Sequence, residues 1–117
     1  MNALIALAAL MGAAGIWLSA AGAHSYPNAK LDVAGTMLLL HAAAVVGGAA
    51  VTAQGLLWRP AALIACAGLV FGAVLFAADL AMRAYMGTRL FPGAAPAGGF
   101  VLLLSWLALG LSALSGR

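Results

Sequence analysis

Residues 19–27, SAAGAHSYP, decide how many membrane spans the chain has. The small residues Ala21-Gly22-Ala23 follow a long apolar run and resemble the site at which a secretory leader is cut, which would leave a protein beginning at His24. Against this, no Lys or Arg precedes the run, and its length exceeds the roughly 7–15 residues of a leader core. We therefore expect the first apolar run to remain as a membrane helix.

The composition points to the membrane for the rest of the chain as well. Of 117 residues, 67% are apolar and 6% are charged. A soluble domain of this size exposes most of its residues to water and could not hide so much apolar surface. The five basic residues lie near the ends of apolar runs and form no basic patch, so no nucleic-acid partner is expected. They are Lys30, Arg59, Arg83, Arg89 and Arg117.

Four apolar runs are long enough to span a bilayer, which takes roughly 20 helical residues. The predicted spans cover residues 3–22, 33–57, 61–82 and 98–114. The sequence thus predicts an all-α membrane protein whose single domain, residues 1–117, is a four-transmembrane-helix bundle with short loops. We expect residues 86–96 to form the longest irregular stretch, with an interfacial piece near Leu90 and Phe91.

Small residues recur within the spans at spacings that allow close helix packing. Gly68 and Gly72 form a GxxxG pattern, and Gly15 with Ser19 repeats the same spacing. These residues either form the internal contacts of the bundle or contact another subunit. The predicted helix-packing residues are Gly12, Gly15, Ser19, Gly68, Gly72, Gly98 and Gly99.

The ionisable side chains within the spans should gather in one half of the bilayer. His24 lies where the first predicted helix ends, His41 lies in the second span, and Asp79 and Arg83 lie near the end of the third. Asp79 and Arg83 are four residues apart on one helix face and can pair. A carboxylate within a span is costly, so it should face the bundle interior. These four residues are predicted to be a structural polar cluster or a ligand site.

The functional alternative uses His24, His41 and Asp79 for a proton, a quinone or a haem. No metal ligand set is expected. Cys66 lies near the other end of the third predicted span, about half a bilayer away from the level of His24. No serine has a histidine and a carboxylate at a catalytic spacing, and no phosphate-binding glycine loop is present. We therefore expect no catalytic residue, no bound cofactor and no enzymatic activity.

Four sequence elements resemble those of the YgdD-like family of small four-span membrane proteins of unknown function, which has a eukaryotic transmembrane relative. Residues 18–24, LSAAGAH, resemble its GAFGAH element, and Leu40-His41 resembles its FH element. Residues 75–80, LFAADL, are similar to LFSGDL, and residues 96–99, PAGG, to its PxGG start of the last helix. The resemblance covers nearly the whole chain with the elements in order.

This resemblance implies a retained first helix, an inner-membrane location and cytoplasmic termini, but no activity. The chain departs from the family at Ala21 and Leu40, which replace two phenylalanines, and before His41, where residues 37–39 are apolar. These departures weaken a ligand-binding role for His41. Some relatives have serine at the position of Asp79, which suits a structural bond.

The sequence favours a structural, accessory or assembly subunit. Its expected partners are membrane lipids and either a larger membrane protein complex or further copies of itself. The basic residues alone leave the orientation open, since Arg59 and Arg117 lie on one side and Lys30, Arg83 and Arg89 on the other.

Overall fold

A computed structural model describes residues 2–25 and 29–115 of the chain. This part of the chain contains four long helices and no strand. Helix α1 spans Asn2–Ala20 and continues as a π-helical turn over Ala21–Ser25; α2 spans Ala29–Ala53, α3 spans Arg59–Met86 and α4 spans Ala94–Leu114. The predicted all-α fold of four helices, each able by length and composition to cross a membrane, is confirmed.

Helix α2 is displaced along the chain relative to the predicted second span, residues 33–57. It begins at Ala29 because polar residues are accepted in its first turn, where Asp32 favourably meets the positive end of the helix dipole. It ends at Ala53 because Gly55 takes a left-handed conformation, with φ 80°. The apolar residues Leu56 and Leu57 therefore belong to the connection to α3.

The connection between α3 and α4 covers residues 87–93, which is shorter than the irregular stretch predicted over 86–96. Gly87, with φ 73°, closes α3 by donating its N–H to the Arg83 carbonyl at 3.0 Å. Gly93, with φ 81°, precedes α4. Pro96 lies in the first turn of α4, where its missing N–H costs nothing. Leu90 and Phe91 are exposed and lie in bends of this connection.

Helices α2 and α3 form the centre of the bundle, and α1 and α4 flank them. In the most apolar stretch of each helix, 44% of the residues of α2 and 39% of those of α3 are buried. The corresponding shares are 17% for α1 and 22% for α4. Helix α1 packs on α2 and also reaches α3, while α4 packs chiefly on α3. The Cα envelope is 46 Å long, close to the roughly 40–45 Å thickness of a bilayer with its headgroups.

Helices α1 and α2 cross at a pair of glycines. A Cβ atom on Gly15 would lie 3.0 Å from the Gly35 carbonyl oxygen and 2.8 Å from the Leu39 side chain. A Cβ atom on Gly35 would lie 2.8 Å from both the Gly15 carbonyl oxygen and the Ser19 nitrogen. The two backbones are so close that only glycine fits at either position.

Helices α3 and α4 cross in the same way. A Cβ atom on Gly72 would lie 2.9 Å from the Gly98 carbonyl oxygen and from the Leu102 side chain, and one on Gly98 would lie 2.8 Å from the Gly72 oxygen and the Phe76 nitrogen. Positions 72, 76, 98 and 102 thus repeat the contacts of positions 15, 19, 35 and 39. The α1–α2 and α3–α4 hairpins therefore cross with the same geometry.

The predicted helix-packing residues mostly lie at contacts within the bundle. Beyond the two crossings, a Cβ atom on Gly68 would meet the Ser105 side chain, and one on Gly12 would lie 3.8 Å from Ala42. Gly99 differs, because a Cβ atom there would meet nothing within 4 Å in the described part of the chain.

Candidate functional site

The Asp79 carboxylate is fully buried and accepts three hydrogen bonds. Arg83 Nη2 donates to Oδ2 at 2.6 Å, the Leu90 backbone N–H donates to Oδ1 at 2.8 Å, and the Ala95 N–H donates to Oδ2 at 3.2 Å. The donors come from α3 itself, from the connection and from the first turn of α4. One carboxylate therefore joins three consecutive segments of the chain.

Asp79 acts as a helix cap supplied by a neighbouring helix. The first backbone N–H groups of any helix lack intrahelical acceptors. Residue Gly93 occupies the N-cap position of α4 and has no side chain to offer. The negative charge of Asp79 lies where the dipole of α4 is positive, and its oxygen accepts from Ala95, the second residue of the helix.

The Arg83 guanidinium is held by Asp79 on one side and reaches the surface on the other. Its side chain is 23% exposed. Its Nε–H is buried and has no hydrogen-bond partner among the described residues. Asp79 thus neutralises the charge of Arg83 while leaving much of its donor capacity unused.

His41 is buried near the middle of α2, about three turns from its start. Its Nδ1 lies 2.8 Å from the Met37 carbonyl oxygen, and its Nε2 lies 3.1 Å from the Trp106 indole nitrogen. A carbonyl can only accept and an indole N–H can only donate. These partners select the neutral imidazole with its proton on Nδ1.

Trp106 lies on α4, so its bond to His41 links two helices that are not consecutive. The two rings meet edge to face, with centroids 6.0 Å apart. Trp106 is not among the predicted site residues. An indole N–H within a span nevertheless needs a hydrogen-bond acceptor, and this requirement could have predicted a polar partner for Trp106.

The four polar residues predicted to gather in one half of the bilayer do not form one cluster. Asp79 and Arg83 contact each other, while His41 is bonded to Met37 and Trp106. His24 is exposed on the π-helical turn. Within residues 2–25 and 29–115, no group of three His, Cys, Asp or Glu side chains is placed to hold a metal ion.

Two grooves run along the bundle between helices of the same direction. The α1/α3 groove, of about 290 Å³, has bulky walls that include Leu7, Leu10, Val70 and Val74. The α2/α4 groove, of about 440 Å³, is lined largely by small residues. Its lining comprises Ala44, Gly47, Gly48, Val51, Leu57, Trp106, Leu109, Gly110 and Ala113.

Glycines in the α2/α4 groove leave open space. A Cβ atom on Gly47 or Gly110 would meet nothing within 4 Å in the described part of the chain. The groove therefore has two open notches, one at each of these glycines, with no side chain of the described residues in them.

Comparison of the chain with protein-family models, with curated proteins and with solved structures finds no match.

Proposed function

We propose that the chain is an accessory or assembly subunit without enzymatic activity, and that it binds a transmembrane helix of a larger membrane protein in the α2/α4 groove. The open notches at Gly47 and Gly110 are the observation that carries this proposal. In lipid, small residues promote helix association because they allow backbones to approach closely. A partner helix with leucines facing the groove would repeat the packing that the chain uses at its own crossings.

The redox or proton-carrier alternative receives less support from the polar side chains. Both ring nitrogens of His41 take part in hydrogen bonds, so His41 would have to break a bond before it could bind a haem iron or a quinone oxygen. Asp79 has three donors and a paired charge. These groups are arranged as structural bonds, which favours the accessory role.

The proposal is tested by filling the groove. Gly47→Leu and Gly110→Leu add side chains into open space, and Gly99→Leu does the same at a position outside the groove lining. Each tagged variant is purified from native membranes in mild detergent after crosslinking, beside the unchanged chain. We expect the two groove variants to lose the crosslinked partner and Gly99→Leu to retain it, with similar thermal unfolding midpoints for all three.

Two outcomes would overturn this assignment. Retention of the partner by both groove variants would place the contact elsewhere on the bundle. If the unchanged chain captures only a second, differently tagged copy of itself, and the groove variants lose that copy, the groove is a homo-oligomer contact.

We further propose that the chain is a YgdD-like protein of the bacterial inner membrane with both termini in the cytoplasm. Four spans would put both termini on one side of the membrane, together with Arg59, as this proposal requires. The resemblance supplies the direction, and its LFAADL and PAGG elements contain Asp79 and Gly98, which join α3 to α4.

A further inference from the structure

The rim formed by the end of α3 and the connection 87–93 carries an arginine donor that the described residues leave without a partner. Both oxygens of Asp79 are already used by three donors. The Nε–H of Arg83 still lacks a partner among the described residues. The other carboxylate side chain of the sequence, Asp32, lies against Gly22 of the π-helical turn. Among the described residues, Arg83 therefore has no anionic partner besides Asp79.

The same carboxylate holds the backbone next to a second arginine, Arg89, near the Arg83 guanidinium. Leu90 donates its backbone N–H to Asp79 Oδ1, and the residue before it is Arg89. Arg89 is exposed and makes no hydrogen bond or ion pair with the described residues. Asp79 thus fixes the backbone at Arg89 beside the Arg83 guanidinium, whose outer part is also accessible.

The position of this rim identifies the anion. Arg83 lies about one turn from the end of a membrane-spanning helix, and the exposed rings of Tyr85 and Phe91 flank the same connection. Aromatic rings of this kind concentrate at the level of the lipid headgroups. Arginine binds phosphate oxygens through two parallel N–H donors, which a lysine cannot do.

We propose that Arg83 and Arg89 form a binding site for the phosphate of an anionic phospholipid in the leaflet at this end of the bundle. Arg83 binds the phosphate with the donors that Asp79 leaves free, and Arg89 closes over it from the connection. Net charge favours an anionic lipid over a zwitterionic one, because Asp79 cancels one of the two arginines and leaves a single positive charge. This site is independent of the α2/α4 groove and of any protein partner.

The test is native mass spectrometry of the whole chain in detergent, titrated with phosphatidylglycerol or with phosphatidylcholine. Arg89→Ala removes the exposed guanidinium without touching Asp79, and Arg59→Ala removes an exposed arginine at the opposite end as the matched control. We expect Arg89→Ala to weaken binding of the first phosphatidylglycerol about tenfold and Arg59→Ala to leave it nearly unchanged. Equal weakening by both variants, or equal binding of the two lipids by the unchanged chain, would overturn the site.

Two further arms separate the roles of Arg83 and the source of the phosphate. Arg83→Lys keeps a positive charge beside Asp79 but lacks the guanidinium fork, so it should lose phosphatidylglycerol affinity while keeping its thermal midpoint. Unchanged lipid affinity in this variant would exclude Arg83. If it fails to fold, Arg89→Ala alone decides. Inorganic phosphate at matched ionic strength should not displace the lipid, and displacement would overturn the lipid assignment in favour of free phosphate.

Discussion

At the scale of single residues, Asp79 has the largest expected effect on stability. Asp79→Asn keeps the shape of the side chain but removes the charge that balances Arg83 and puts an amide donor where two oxygens accept three bonds. Breaking a buried charge pair from one side costs about 3 kcal/mol or more. We expect a loss of about that size in the free energy of unfolding, measured by SDS titration in mixed micelles.

The control for this prediction is the other acidic residue of the chain. Asp32→Asn changes a carboxylate that is exposed in the first turn of α2, where a favourable dipole interaction contributes about 0.3–1 kcal/mol. If Asp79→Asn lowers the unfolding free energy by no more than Asp32→Asn does, the bonds of Asp79 to α4 and to the connection contribute little.

The His41–Trp106 bond predicts a coupling between two residues that are 65 positions apart. His41→Leu leaves the indole N–H without its acceptor, and Trp106→Phe leaves His41 Nε2 without its donor. Each single change should cost about 1–2 kcal/mol of unfolding free energy, whereas the double variant should cost about 1 kcal/mol less than the sum. Additive losses in this double-mutant cycle would show that the bond does not stabilise the bundle.

At the scale of helices, the structure predicts opposite effects at two adjacent glycines. A methyl group on Gly98 meets the backbone of α3 at 2.8 Å, while one on Gly99 meets nothing within 4 Å among the described residues. We expect Gly98→Ala to lower the unfolding free energy by about 1–3 kcal/mol. Gly99→Ala should be neutral or stabilising by up to about 1 kcal/mol, because alanine is the better helix former.

The equivalent crossing geometry extends this prediction to the first hairpin. A methyl group on Gly35 would meet the backbone of α1 at the same distance, 2.8 Å. Gly35→Ala should therefore lower the unfolding free energy by a similar amount. A near-neutral Gly35→Ala beside a costly Gly98→Ala would show that the two crossings do not contribute equally, despite their equivalent geometry.

The sequence predicts whole helices better than the contacts between them. Apolar length identifies all four helices because each must span the same hydrocarbon thickness. The Asp79–Arg83 contact is also predictable, since positions four apart meet on any helix. The bonds from Leu90 and Ala95 to Asp79 depend on the conformation of residues 87–93, which the hydropathy of the sequence does not predict.

The missed packing residues show the same limit. Gly35 has no glycine or serine four residues away on its own helix, so no spacing rule selects it, yet it forms the crossing with Gly15. Its significance becomes visible when α1–α2 is compared with α3–α4, because Gly35 then corresponds to Gly98. The comparison requires the crossing geometry and not the sequence pattern alone.

At the scale of the whole molecule, the two packed hairpins leave two grooves of different character. The α1/α3 groove has leucine and valine walls, which flexible acyl chains can cover. The α2/α4 groove has glycine notches, which suit the close approach of another backbone. The arginine rim lies at the end of the bundle where α3 meets α4. The two proposed ligands, a helix and a lipid phosphate, would therefore bind separate parts of one rigid bundle.

The orientation of the bundle is accessible to experiment because the single native cysteine, Cys66, is buried. Cysteines introduced as Arg59→Cys and Arg89→Cys are exposed at opposite ends of α3 and its connection. If both termini are cytoplasmic, a membrane-impermeant maleimide added to intact spheroplasts should label Arg89→Cys and leave Arg59→Cys unlabelled until the membrane is permeabilised. The reverse pattern would place the termini and Arg59 outside, and labelling of both variants would mean that the chain inserts in two orientations.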